Sequence, residues 1–204
     1  MGNREKLLDG AQQCLLEKGY AATTARDIAA AAGVSLAAIN YHFRTTEALL
    51  NEALRRALDQ WGDELERALT GEPGGSTPAD PGERFVAIWD RVIASVTANR
   101  SLWTMQFELV TRLGRQAAPE SPWAAAQVEA EAALAALFHG IDPAAEPELA
   151  RAVGGLYQAL LAGVVVQHLV APERAMSGRD LALALRAVCE RLAASGSSAA
   201  VQKV

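Results

Sequence analysis

Cysteine, histidine and aromatic residues are all scarce in this 204-residue chain, and each scarcity removes a class of chemistry. The two cysteines, Cys14 and Cys189, stand far apart and neither belongs to a C-x-x-C pair. The sequence therefore offers no disulfide scaffold, zinc site or redox motif, and it fits a reducing cytosol. The three histidines, at 42, 139 and 168, have no carboxylate or cysteine constellation beside them, and no H-E-x-x-H, G-x-S-x-G, Walker A or G-x-G-x-x-G element occurs. No catalytic residue, metal site or cofactor follows, and the chain reads as a non-enzyme. Glu108 sits on the polar side of its helix with Arg112 at i+4, the spacing of a solvated ion pair. Positive charge is not in excess either: 19 Lys+Arg against 24 Asp+Glu leave a net charge of −5. A uniformly basic surface is excluded, so any contact with nucleic acid must be local.

A secretory leader is also missing, since Met1-Gly-Asn-Arg-Glu-Lys6 runs straight into an amphipathic pattern with no apolar h-region. A cytoplasmic location is expected. The stretch between Arg151 and Glu173 carries no charge and is long enough to span a bilayer. Gln158, Gln167, His168, three glycines and many alanines make it a better helix for burial by its own domain and a partner subunit, with no membrane partner.

What the chain does contain is Ala and Leu in abundance. Hydrophobic residues make up 50% of it and aromatics only 5%, a composition that favours helices. Apolar spacing predicts an all-α protein of about nine helices. The first spans Asn3 to Lys18 and ends at Gly19. Thr24-Ala-Arg-Asp27 has the capping-box form and opens a short helix that ends at Gly33. Ser35 is placed as N-cap of the next, Leu36 to Phe43, and Thr45 as N-cap of a long fourth helix carrying Leu50, Leu54, Ala57, Leu58, Trp61, Leu65 and Leu69. Four glycines and three prolines make residues 71 to 82 a loop with its tip at Gly74-Gly75. Further helices follow around Phe85 to Val96, Leu102 to Leu113, Trp123 to Phe138 and Glu148 to Val170. Ser177-Gly-Arg-Asp180, a second capping-box form, opens the last, which frays after Ala194.

Only Gly33 and Val34 separate the second helix from the N-cap of the third, the turn length of a helix-turn-helix. In that motif the second helix enters the major groove. Ile39 and Phe43, at i and i+4, face inward with Ile28 and Val34, which leaves Leu36, Ala37, Ala38, Asn40, Tyr41 and His42 outward or flanking. Asn40 suits a base or phosphate, Tyr41 and His42 the backbone, and Arg26 projects from the preceding helix towards phosphate or guanine. Residues 1 to 50 balance five basic against five acidic side chains, so the whole −5 falls on the rest of the chain. A neutral head on an acidic body still permits phosphate contact through Arg26, Arg44 and helix termini. A two-fold dimer doubles those contacts and sets the recognition helices roughly 34 to 36 Å apart. The uncharged helix and the stripe on the last helix predict a homodimer interface of Val165, Leu169, Leu181, Leu185, Val188 and Leu192.

With Gly19-Tyr20, Thr23-Thr24-Ala-Arg-Asp-Ile-Ala29, Ala32-Gly-Val-Ser35, Tyr41-His-Phe43 and Glu47-Ala-Leu-Leu50, the chain resembles the TetR (tetracycline repressor) family of one-component transcriptional regulators over roughly Leu7 to Leu58. The resemblance implies a DNA-binding domain over residues 1–46 and an effector-binding and dimerisation domain over 47–204. It implies that Thr24, Arg26, Ser35, Leu36, Ala37, Ala38, Asn40, Tyr41, His42 and Thr46 face operator DNA. Ala37, Asn40 and Thr46 depart from the family's usual small residue, tyrosine and lysine, which shifts phosphate contact towards the N-terminal arm with Arg4 and Lys6. The family binds small molecules inside the helical body and moves the fourth helix in response, so Trp61, Trp89, Trp103, Met105, Phe107 and Tyr157 are the expected pocket for a small, mainly apolar effector. The alternative is a helical homodimeric interaction module without an effector.

Overall fold

The computed structural model describes residues 2–70, 80–113 and 122–201, the side chains of 70, 111–113, 122–124 and 196–201 excepted. The expected loop tip at Gly74-Gly75 lies outside the described residues, as does the Arg112 side chain expected to pair with Glu108. Within them the chain is all-α: α1 (Asn3–Lys18), α2 (Ala25–Ala32), α3 (Leu36–Phe43), α4 (Thr46–Thr70), α5 (Pro81–Ala98), α6 (Arg100–Leu113), α7 (Pro122–His139), α8 (Pro147–Val170) and α9 (Gly178–Val201), with a short 3-10 turn at Pro172–Arg174. The last helix continues to Val201, past the expected fraying point at Ala194.

Contacts divide the chain into two compact units, Met1–Gly71 with Ala98–Ser121, and Glu72–Thr97 with Pro122–Val204. This division differs from the expected one at residue 46, and the reason is the core of the first unit. Leu7, Leu8, Ala11 and Leu15 of α1 are buried, and so are Leu49, Leu50, Ala53 and Leu54 of α4. The early turns of α4 therefore complete the core that α1, α2 and α3 begin. Each fully buried Leu or Ile contributes about 1.5–3 kcal/mol from apolar burial. Polar contacts hold the same two helices: Arg56 pairs with Asp9 at 2.6 Å and Glu5 at 3.4 Å, Gln12 donates to Gln60 at 3.0 Å, and Arg4 pairs with Glu52. Tyr20, after the end of α1, donates its hydroxyl to Asn51 of α4 at 2.6 Å.

In the second unit α8 packs along α7. The crossing is close because Gly154 faces the Glu131 backbone directly. Gly178 makes a similar approach at the start of α9, where its N–H donates to Asp90 of α5 at 3.2 Å. The capping box that opens α9 forms as expected, with Ser177 N–H donating to Asp180 at 3.0 Å and Asp180 N–H to the Ser177 hydroxyl at 3.3 Å. Among the described residues α8 alone has the length and apolar composition to cross a membrane. Ala150, Gly154, Tyr157, Val164 and Val165 cover one face of it, while Leu156, Val166 and Val170 stay exposed.

Candidate nucleic-acid interface

The helix-turn-helix is built by two local devices. Thr24, extended at φ −107°, accepts the Asp27 N–H on its hydroxyl at 3.3 Å and gives its own N–H to the Asp27 carboxylate at 3.0 Å, so the capping box opens α2. Gly33, at φ 62°, closes it: its N–H donates to Ala30 and the Val34 N–H reaches back to Ala29 at 3.1 Å. That pair of bonds is a Schellman ending, which needs the left-handed conformation glycine adopts without steric cost. Gly10 lets α1 come close to this helix, since a β-carbon there would meet the Ala32 nitrogen at 2.9 Å.

Electrostatics reinforce the frame. Lys18 reaches from the end of α1 to Asp27 at 2.5 Å. That hydrogen bond, with those from Thr24, holds the Asp27 carboxyl down at about 2. The same Asp27 contact raises the Lys18 pKa.

α3 then presents two different faces. Ile39 and Phe43 are buried with Ile28, while Val34 is only half-buried. Tyr41 is 83% and Leu36 48% exposed. Arg26, Ser35, Ala37 and Asn40 are exposed as well, and Ala38, His42 and Thr46 are half-buried. The Tyr41 and His42 rings meet edge to face with centroids 4.8 Å apart.

Two details depart from the sequence reading, at Ser35 and Arg4. Ser35 occupies the N-cap position of α3, but its hydroxyl makes no cap bond. Thr24 is exposed, and its hydroxyl is committed to Asp27, as its capping-box form implies. Arg4, expected in a phosphate-binding arm, pairs with Glu5 and Glu52 and lies 5.3 Å from the Phe43 ring centroid. Arg26 forms no ion pair among the described residues.

The expected pocket residues divide between the two units. In the first, Trp61 and Trp103 meet edge to face at 4.8 Å, Met105 is buried and Phe107 half-buried. In the second, Trp89 and Tyr157 belong to an aromatic cluster with Phe85 and Phe138. Phe138 stacks on Tyr157 at 4.1 Å with parallel planes, and His139 Nε2 lies 2.8 Å from the Tyr157 hydroxyl. Burial first, then the neighbouring Cys189 thiol, pushes that hydroxyl's pKa up. Phe85 and Phe138 are the members sequence reasoning left out; Phe85 heads the α5 apolar stripe, but no local signal brings Phe138 to it. His168 is satisfied within its own helix, 2.9 Å from the Val164 carbonyl.

The expected dimer stripe needs a correction. Val165 and Leu181 are 0% and 2% exposed within the subunit and so belong to its core. Leu169 and Leu185 are half-buried. Val188 and Leu192 are exposed, as are Leu156, Val166 and Val170 on α8 and Leu183 on α9. Spacing alone identified the stripe, but not which of its turns the subunit itself covers.

Comparison with known proteins converges on the segment that carries this geometry. Residues 7–53 match the family model for bacterial regulatory proteins, tetR family. The HTH-type transcriptional repressor KstR2 of Rhodococcus jostii is 45% identical over 58 residues, a match that spans 28% of this chain and 28% of that protein. A TetR transcription regulator from Haloarcula marismortui superimposes with a TM-score of 0.60 at 19% identity, covering 92% of this chain and 95% of that one. The multidrug binding protein EbrR complexed with proflavin gives 0.59 at 24% identity, covering 91% and 98%. These two structures share the fold over nearly the whole length. The matched segment, residues 7–53, holds the capping box, the Gly33 turn and the exposed face of α3, and over that segment the chain is similar to bacterial regulatory proteins of the tetR family.

Proposed function

We propose that this chain is a cytoplasmic, homodimeric repressor that binds operator DNA through α3 and is released by a small, mainly apolar effector. The observation that carries the DNA-binding half is the division of α3 itself. Two buried anchors, Ile39 and Phe43, hold it to the first unit, and Ser35, Leu36, Ala37, Asn40 and Tyr41 stay exposed on its outward side. The 83% exposure of Tyr41, an aromatic side chain, supports this reading. Thr24, Arg26, Ser35, Leu36, Ala37, Ala38, Asn40, Tyr41, His42 and Thr46 are the proposed DNA-facing set.

Dimerisation supplies the second recognition helix, and the exposed apolar side chains of α8 and α9 support it. The effector reading is supported by the aromatic cluster within the second unit and by the fold shared with the multidrug binding protein EbrR, whose structure is complexed with proflavin. Within the second unit, Trp89 keeps a buried indole N–H without a partner among the described residues beside the Phe85 and Phe138 rings, which favours an apolar effector bearing a hydrogen-bond acceptor.

Titration of the protein against DNA from its own promoter region, beside unrelated DNA of equal length, tests the reading. Specific, salt-sensitive binding that Arg26→Ala and Tyr41→Ala abolish in folded dimers is expected. Equal, weak binding to both DNAs would favour the interaction-module alternative.

A further inference from the structure

Arg44 follows α3 with φ 65° and ψ −44°. Among the described residues no other non-glycine residue has a positive φ. The Thr45 N–H donates to the Phe43 carbonyl at 2.8 Å, which closes a three-residue turn with Arg44 at its apex. This is the γ-turn of positive φ, a rare and strained conformation for a residue with a β-carbon. Both ends of the turn are tied. The Arg44 N–H donates to Asn40 at 3.2 Å as the last bond of α3, and the Thr45 hydroxyl accepts the Ala48 N–H at 3.0 Å as α4 begins. Glycine would serve the same turn without that strain.

The side chain gives the strain no return inside the subunit. Arg4 and Lys18 are held by carboxylates, whereas Arg44 is exposed and forms no ion pair among the described residues. We propose that Arg44 is a phosphate-contacting residue: the strained turn carries its guanidinium past the end of α3 to the DNA backbone flanking the groove that α3 enters. A planar, permanently charged fork is the side chain best matched to a phosphate. The assignment rests on the reading of α3 as the DNA-contacting helix, and it adds a cation that the ten proposed residues do not include.

Arg44→Gly separates contact from scaffold, because the two roles predict opposite signs. The test uses thermal melting together with fluorescence anisotropy on a mixed-sequence duplex of about 30 bp, across a salt series. Relief of the turn outweighs the extra chain entropy of glycine, so the variant is expected to melt about 2 °C higher. Its DNA affinity is expected to fall about tenfold near 0.1 M salt, with the log–log salt slope shallower by about 0.9 per protomer. Arg44→Lys should keep both the wild-type slope and the wild-type melting temperature. An Arg44→Gly protein with an unchanged salt slope would overturn the assignment. So would one that melts lower, which would make Arg44 a helix-end cation serving α3. Wild-type protein that shows no salt-dependent binding would remove the DNA reading of α3 and Arg44 with it, whereas wild-type binding with an unaltered Arg44→Gly slope removes Arg44 alone.

Discussion

Gly154 of α8 lies so close to Glu131 of α7 that a β-carbon at Gly154 would stand 2.0 Å from the Glu131 carbonyl oxygen. The obstacle is backbone, which cannot swing aside as a side-chain tip can. Gly154→Ala is therefore expected to force the two helices apart and to cost about 3 kcal/mol or more. Gly62→Ala on α4, where nothing lies within 4 Å of the added carbon, is the control and should gain about 0.5–1 kcal/mol from helix propensity. Urea unfolding of both variants checks the contrast, and equal stabilities would show that α7 and α8 are not packed this closely.

Asp27 ties α1 to the start of α2, and its pKa gives the tie a pH signature. The folded value of about 2 lies below the ordinary 3.8, so the contribution is fully present above about pH 4 and is lost as pH falls through the folded value. Asp27→Asn should be less stable than wild type at neutral pH, with the gap closing between about pH 4 and 2. Unfolding curves across that range test this, and a gap that stays constant would contradict it. Thr24→Ala removes the cap hydroxyl and should cost about 1 kcal/mol at neutral pH.

Ile39 and Tyr41 stand two residues apart on α3 with opposite duties. Ile39 is 1% exposed and anchors the helix, so Ile39→Ala should cost about 3 kcal/mol through the cavity it leaves. Tyr41→Ala touches no core and should change stability by less than about 0.5 kcal/mol while abolishing specific DNA binding. Melting curves and anisotropy titrations on the same preparations separate the two. A Tyr41→Ala protein that binds like wild type would take Tyr41 out of the proposed interface.

The contrast between these two residues also explains what was legible in the sequence. The i, i+4 spacing of Ile39 and Phe43 fixes the buried side of α3, and the Thr24–Asp27 spacing fixes the start of α2, because both depend on neighbours a turn away. The bounds of α3 and the Gly33 turn were readable for the same reason. The Arg4 partners were not: Glu52 is brought to it only by packing of α4 on α1. Phe138 meets Tyr157 only because Gly154 lets α7 and α8 cross closely. The same limit applies to the unit boundary, since burial of Leu49 to Leu54 against α1 carries the first core beyond residue 46. Periodicity locates a face, while the identity of what covers it is a tertiary property.

The α9 stripe turns that limit into a test. Leu181, Leu185, Val188 and Leu192 follow one another at helical spacing, yet Leu181 is 2% exposed and Leu192 68%. The subunit covers the first turn of the stripe and leaves the last uncovered. A charge at the two ends should therefore fail in different ways. Leu181→Glu buries an unpaired carboxylate in the subunit core and is expected to prevent stable folding. Leu192→Glu leaves the subunit fold intact and places like charges on the proposed interface, so helical circular dichroism should be retained while sedimentation velocity shows a shift from dimer to monomer. If Leu192→Glu sediments as an unaltered dimer, the exposed end of α9 is not where two copies meet, and the exposed side chains of α8, Leu156, Val166 and Val170, become the face to test.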